Sequence, residues 1–277
     1  MMAAPQRWLW KAVRDWPAAK SLAIRHERNA ADVLLVSFPK CGRTWLRLLI
    51  GRAVQQHFRL GDANLLELHK LAGLHPDIPR IYVTHEDMPQ VKRPAELATS
   101  KRSLRWKKII FLARDPRDVI VSTYFQWRER RRRAMGDMAS FIRQEAGGYE
   151  TVLRYYAIWE ANRGVVKDFL LIRYEDMRQD ARRELRRVLD FLGLPGVAEA
   201  VVAEAVEFAS FENMRKMETE DRFQSRKLRA ADAQEAESFK TRRGKVGGYA
   251  DYLAPDDVEY LNRRMVEVLP DFYGYRP

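Results

Sequence analysis

Two hydropathy rhythms alternate along this chain. Short runs of apolar residues mark Val33–Phe38, Ile81–Thr84, Lys108–Ala113 and Phe169–Arg173 as strands. Apolar residues three and four apart mark Trp45–Phe58, Asp118–Arg128 and Ala181–Leu192 as helices that follow most of them. Further helices are expected over Met138–Ala146, Thr151–Arg163, Val197–Ala209 and Asp256–Leu269. The last has Pro255 at its first turn and Asp256 and Asp257 beside its positive end. Strands that alternate with helices need crossover connections, so the expected class is α/β, with a central parallel sheet flanked by helices. Residues 212–247 are polar and rich in both charges, and a loop of that length is usually functional or disordered.

The 277 residues suit one large domain, and 46% hydrophobic content is enough for a sizeable core. Residues 6–28 pattern as an amphipathic helix, with Trp8, Leu9, Trp10, Val13 and Trp16 among lysines and arginines. It is expected to pack as an N-terminal arm over residues 1–30. Peripheral contact with a membrane surface is its alternative use. There is no run of 18 apolar residues, and Met1–Lys20 lacks the apolar stretch of a secretory signal. A single cysteine, Cys41, allows no intrachain disulfide and fits a cytoplasmic location. His26, His57, His69, His75 and His85 are scattered, and no metal site is expected.

A net charge of +12 favours anionic partners. Part of it lies in Arg182–Arg187, where apolar Leu185, Val188, Leu189 and Leu192 alternate with the charges as on a solvated helix face. Part lies in Arg128–Arg133, which follows a motif described below.

The chemistry concentrates where the first strand meets its helix. Pro39-Lys-Cys-Gly-Arg-Thr-Trp45 joins them through a short loop. Free N–H groups and the positive helix end make such a turn an anion site. Lys40 and Arg43 add cations, and Thr44 adds a hydroxyl donor. A nucleoside-triphosphate loop of the Walker type places its lysine after the glycine; here Lys40 comes two residues before Gly42. A second site is built the same way at Arg114-Asp-Pro-Arg-Asp-Val-Ile-Val-Ser122. Asp115 can cap the helix, Pro116 suits its first position, and Asp118 sits where a capping acid belongs. Arg114 leaves the strand at its C-terminal end, where ligands of open α/β sheets bind. Each loop taken alone also reads as an ordinary capped turn.

Together these segments resemble the sulfotransferases that use 3′-phosphoadenosine 5′-phosphosulfate (PAPS). P-K-C-G-R-T-W resembles their 5′-phosphosulfate loop, commonly P-K-S/A-G-T-T-W, and R-D-P-R-D-V-I-V-S resembles their 3′-phosphate segment, R-N/D-x-K/R-D-x-x-x-S. Tyr82–Pro89 resembles the T-H-x-x-P segment that carries the family's histidine base, with one extra residue between His85 and Pro89. Leu171-Ile-Arg-Tyr-Glu-Asp-Met177 is close to L-x-x-Y-E-D-M/L, and Ser210-Phe-Glu-Asn-Met-Arg215 resembles S-F-x-x-M-K/R. Arg242-Arg-Gly-Lys-Val-Gly-Gly-Tyr249 resembles R-K/R-G-x-x-G-D-W, with Gly248 in place of the acid and Tyr249 in place of the tryptophan.

The resemblance implies a P-loop-like three-layer fold over residues 31–277 and transfer of a sulfuryl group from PAPS to a hydroxyl or amine, without a metal. Lys40, His85 and Ser122 take the catalytic roles, with His85 as base and Ser122 restraining Lys40 until an acceptor binds. Lys40, Cys41, Gly42, Arg43, Thr44 and Trp45 would hold the 5′ end of the donor, and Arg114 and Ser122 its 3′-phosphate. Tyr174, Ser210, Phe211, Arg242, Arg243 and Gly244 would complete the nucleotide site. Glu175 and Asp176 are read as capping and structural residues. Cys41, at a helix N-terminus beside Lys40, is expected to have a lowered thiol pKa, although packing is its favoured role. The acceptor could be a small molecule, a glycan or a lipid; Tyr124, Phe125, Trp127 and Tyr149 could line its pocket. A P-loop kinase would need magnesium and a Walker lysine. A nucleic-acid-binding protein would need its charge on one face, and no nucleic-acid partner is expected.

Overall fold

The computed structural model describes residues 25–130, 136–230, 239–241 and 243–277. The proposed arm lies outside them except for residues 25–30, which are helical. The chain then runs β1 (Val33–Val36), α1 (Arg43–His57), α2 (Leu68–Leu71), β2 (Ile81–Thr84), β3 (Lys108–Ala113) and α3 (Pro116–Phe125). It continues through α4 (Met138–Arg143), α5 (Tyr149–Ala161), β4 (Asp168–Arg173), α6 (Tyr174–Gln179), α7 (Ala181–Phe191), α8 (Glu199–Phe208), α9 (Phe211–Thr219) and α10 (Pro255–Val268).

All four strands pair in parallel, in the order β2-β1-β3-β4. The central strands β1 and β3 are buried along almost their whole length, which is why their sequences are apolar without alternation. Val36 pairs with Thr84 on one side and Phe111 on the other. The chain therefore leaves β1, β2 and β3 on one edge, where the strand order switches from β2 to β3. The two anion loops and His85 all start there.

Helix α5 fastens this edge. Tyr149, Tyr155, Tyr156 and Trp159 are wholly buried, and Phe111 of β3 packs its ring 5.6 Å from both Tyr156 and Trp159. Such pairs are worth about 0.5–1.5 kcal/mol beyond their burial. The Tyr156 hydroxyl accepts from Arg114 N–H at 3.0 Å and donates to Arg114 C=O at 2.9 Å. It also lies 3.4 Å from Cys41 Sγ. The neighbouring Tyr155 donates to the His85 carbonyl at 2.6 Å.

Three differences from the expected elements have local causes. Helix α3 starts at Pro116 because Asp115 accepts from Arg117 N–H as the N-cap. After Phe125 it passes into a π-helical turn, Gln126–Arg130. The 212–247 stretch is partly ordered: Ser210 caps α9, which buries Met214 and Met217. Helix α7 meets its expectation, with Leu185, Val188 and Leu189 buried and Arg182, Arg183 and Arg187 exposed.

Tyr156→Phe keeps the ring and removes the hydroxyl, leaving the Arg114 N–H without its partner. A loss of about 1–3 kcal/mol is expected, read as a lower urea midpoint at unchanged m-value. An unchanged midpoint would show that the hydroxyl does not hold the two loops.

Candidate active site

The β1–α1 loop is a tight turn under strain. Lys40 has φ 75° and Gly42 φ 92°, both left-handed. A Cβ on Gly42 would lie 2.6 Å from the Tyr174 ring, so only glycine fits. Gly42 C=O accepts from the N–H groups of Trp45 and Leu46 at 2.9 and 3.2 Å. The N–H groups of Arg43 and Thr44 come before the first helical hydrogen bond, and both residues line the cleft, as an anion site requires. Cys41 turns the other way. It is fully buried, and burial pushes its thiol pKa up to about 12, against the fall expected from the helix end. Desolvation outweighs the nearby cations, so the residue contributes packing and its backbone.

The second loop lies beside the first. Arg114 Nη1 donates to Lys40 C=O at 3.5 Å. Its Nη2 donates to Asp118 at 3.2 Å and to Lys245 C=O at 3.0 Å. The guanidinium also stands 4.4 Å over the Tyr174 ring. Burial is the largest influence and disfavours its charge, but Asp118 together with Tyr174, Glu175 and Cys41 outweighs burial, and the Arg114 pKa is raised. Asp118 does not cap α3; it accepts from Gly247 and Tyr249 N–H at 3.0 and 2.9 Å and so docks the 243–249 loop. Tyr249, in place of the family's tryptophan, packs 4.5 Å beneath the Arg117 guanidinium.

His85 follows β2, which flanks β1 on the side opposite β3. Its Nδ1 lies 2.8 Å from Ser37 C=O and therefore carries the proton that is donated there. Its Nε2 is then the basic nitrogen, and it accepts from Arg43 Nη2 at 2.8 Å. Burial and the Arg43 charge hold its pKa well below 6.5. The extra residue before Pro89 is absorbed by three successive left-handed residues, Glu86, Asp87 and Met88, with φ of 41°, 64° and 51°. Arg28 steadies this bend through two hydrogen bonds to Glu86, at 2.8 and 3.0 Å.

These groups surround a cleft of about 750 Å³. Lys40, Arg43, Arg114, Arg178, Arg229, Lys240, Arg243 and Lys245 line it, and Asp118 is the single carboxylate among its described lining residues. Arg43 Nη1 and Arg114 Nε are buried without a hydrogen-bond acceptor. Donors of this kind, one beside each loop, fit a ligand with anionic groups at two ends.

A family model described as the sulfotransferase domain matches residues 30–272. The chain belongs to the sulfotransferase family. It is 26% identical to cytosolic sulfotransferase 12 of Arabidopsis thaliana, over 88% of this chain and 78% of that protein. It is 27% identical to cytosolic sulfotransferase 17 of the same plant, over 85% and 73%. The fold is similar to that of mouse sulfotransferase SULT7A1 complexed with PAP, with a TM-score of 0.59 and 22% identity over 86% of this chain and 84% of that one. Retinol dehydratase in a complex with retinol and PAP gives a TM-score of 0.61 and 21% identity, over 87% and 82%.

In this sulfotransferase the cleft gathers Lys40, Gly42, Arg43, Thr44, Trp45, His85, Arg114, Ser122, Tyr174, Phe211, Arg243 and Gly244. Trp45 meets Tyr174 edge-on at 5.8 Å, and a Cβ on Gly244 would lie 2.9 Å from the Phe211 ring. Ser210 stands outside the lining, as the cap of α9. Arg242 lies outside the described residues. The Thr44 hydroxyl donates to Lys227 C=O at 3.3 Å, leaving its N–H for an anion. Of the four aromatics suggested for the acceptor, Trp127 lines the cleft, whereas Tyr124 and Tyr149 are core residues and Phe125 packs 4.9 Å from Tyr252. Glu175 accepts from Asp115 N–H and the Tyr275 hydroxyl, a structural role.

Sequence reasoning missed Gln126, which accepts from Lys40 Nζ at 3.2 Å, and Gln90, whose Oε1 is buried in the cleft wall without a donor. Gln126 had a visible signal: it follows Ser122 by four residues on the helix.

The free enzyme's His85, followed by imidazole NMR, is expected to titrate well below pH 6.5. Because the folded pKa is the lower one, the unfolded chain binds more protons, and stability falls as pH drops from about 6.5 toward the folded value. A midpoint at or above 6.5 would contradict the Arg43 contact. Cys41 should resist alkylation in the native state at neutral pH and react only on unfolding. Rapid native labelling would contradict its burial.

Proposed function

We propose that this sulfotransferase takes its sulfuryl group from PAPS and passes it to a hydroxyl or amine of a small-molecule, glycan or lipid acceptor, releasing PAP. The observation that carries the reading is the pairing of two anion loops across one cleft, with Arg114 Nη1 on Lys40 C=O and an unmatched buried guanidinium donor on each side. A donor with phosphate at its 3′ position and phosphosulfate at its 5′ position presents anionic oxygens to both. PAP bound to solved structures of the same fold supports the assignment. PAPS supplies the activated sulfuryl group and a phosphate as leaving group.

The chain's own residues supply the rest. Arg43 and Thr44 N–H groups and the positive end of α1 hold the 5′ end. Arg114, Ser122 and Arg243 hold the 3′-phosphate. Trp45 and Phe211 border the purine. Lys40 Nζ places positive charge where negative charge develops on the leaving phosphate. His85 Nε2 takes the acceptor's proton, with Nδ1 locked on Ser37 C=O. Gln126, rather than Ser122 alone, holds Lys40 aside until it is needed.

Residues 31–277 are assigned to this catalytic domain and 1–30 to an arm. A cytoplasmic location accords with relatives named cytosolic, and no described helix is long and apolar enough to cross a membrane.

Lys40→Ala is expected to bind PAP as the wild type does while kcat falls by about 10²–10³-fold. Undiminished turnover would remove Lys40 from the mechanism. Arg114→Ala should raise the PAPS KM more than it lowers kcat. In a thermal-shift panel PAP should stabilise the protein more than ATP or an oligonucleotide. Preference for ATP would point to a kinase, and preference for the oligonucleotide to a nucleic-acid-binding protein.

A further inference from the structure

Arg43 stands where several physical terms oppose a cation. It opens α1, whose N-terminus is already positive and whose first turn has no acid. Arg47, one helical turn further on, adds like charge. Burial is the largest influence and pushes the Arg43 pKa down to about 9. Arg47 has a carboxylate answer in Glu67 at 3.7 Å. Among the described residues no carboxylate lies within ion-pair distance of Arg43. Its Nη1 has no acceptor, and its Nη2 ends on a neutral imidazole. The loop that this one resembles commonly has threonine here, so the charge is a departure of this chain.

That departure has a consequence for His85. The imidazole has two nitrogens, and both are engaged. Nδ1–H donates to Ser37 C=O, and the Nε2 lone pair is covered by Arg43 Nη2–H at 2.8 Å. A base in this arrangement cannot accept a proton from a substrate hydroxyl. Arg43 must first leave Nε2, and it leaves only for a stronger partner. A guanidinium–oxyanion pair is charged on both sides and can be bidentate, whereas the bond to a neutral imidazole is charged on one side only and single. An anion also removes the burden of a buried, uncompensated charge. Arg43 belongs to the same loop whose N–H groups form the 5′ anion site.

Resting on the PAPS reading above, we propose that Arg43 couples the base to the donor. Its guanidinium covers His85 Nε2 until anionic oxygens at the 5′ end of the donor draw it away, so His85 becomes a base only in a donor-loaded site. The sulfuryl group and the 5′-phosphate both offer such oxygens. The coupling makes donor binding precede acceptor activation. It also keeps the site from drawing a proton from an acceptor hydroxyl while no sulfuryl group is at hand.

The test uses the full chain with imidazole nitrogen NMR and calorimetry. Ligands are PAPS, PAP and adenosine 3′-phosphate, the last having no 5′ anion. The His85 Nε2 resonance of the wild type should move on adding PAPS toward its position in nucleotide-free Arg43→Thr. Movement with PAP as well assigns the pull to the 5′-phosphate; movement with PAPS alone assigns it to the sulfuryl group. Adenosine 3′-phosphate should leave the resonance in place. Arg43→Thr should weaken PAPS, or PAPS and PAP, by at least about tenfold and adenosine 3′-phosphate by less than about twofold. Arg43→Lys, which keeps the charge but not the fork, should recover part of that loss.

A His85 resonance that ignores PAPS, or equal weakening of all three ligands, would overturn the proposal. Failure of the wild type to bind PAPS or PAP at all would instead overturn the donor assignment.

Discussion

A single hydroxyl, that of Tyr156, holds together the two loops on which this site depends. It bonds both main-chain groups of Arg114 and touches Cys41 Sγ, so the ends of β1 and β3 are referred to one rigid point on α5. The neighbouring Tyr155 does the same for His85 through its carbonyl. Consecutive helix residues point about 100° apart, so one turn of α5 can serve three strand ends. The parallel register makes this possible, because β1, β2 and β3 all finish on the same edge. A buried, fully bonded hydroxyl is also an exacting anchor, since removal of it strands an amide in the core.

The second constraint is electrostatic. The cleft collects cations, of which Arg114 pairs with Asp118, Arg229 with Asp221, and Arg243 and Lys245 with Asp251, and the one carboxylate among its described lining residues serves as an anchor. Asp118 receives Arg114 and two main-chain N–H groups of the 243–249 loop. The 243–249 loop is therefore tied to Arg114, the residue proposed to hold the 3′-phosphate. Lys40 in a left-handed backbone and Arg43 at a helix start are poor choices for folding alone. Local rules broken together at one place are what a functional site looks like.

Strand and helix assignments were largely legible because burial leaves a direct mark on the sequence. β2 and β3 have the expected bounds, and β4 differs by one residue. Caps were less legible. Asp115 and Ser210 each follow a simple rule, but Asp118 obeys a partner 129 residues away. Cys41 was read from its helix end and its lysine neighbour; the core around Tyr156 reversed the sign, because desolvation of a thiolate exceeds the pull of nearby cations.

The sequence by itself determined the α/β class, the parallel sheet and the two anion loops with Lys40 and Arg114. All of these follow from contacts within a few residues of chain: a buried strand, a turn and a helix start. Only the tertiary structure decided which groups meet across the loops. Arg43 and His85 are 42 residues apart, and Lys40 and Gln126 are 86 apart. Pairings of that kind depend on strand order and register, which leave no local pattern. The same physics divides the result, since periodicity records what each segment buries, whereas the partner of a polar group is chosen by the packed whole.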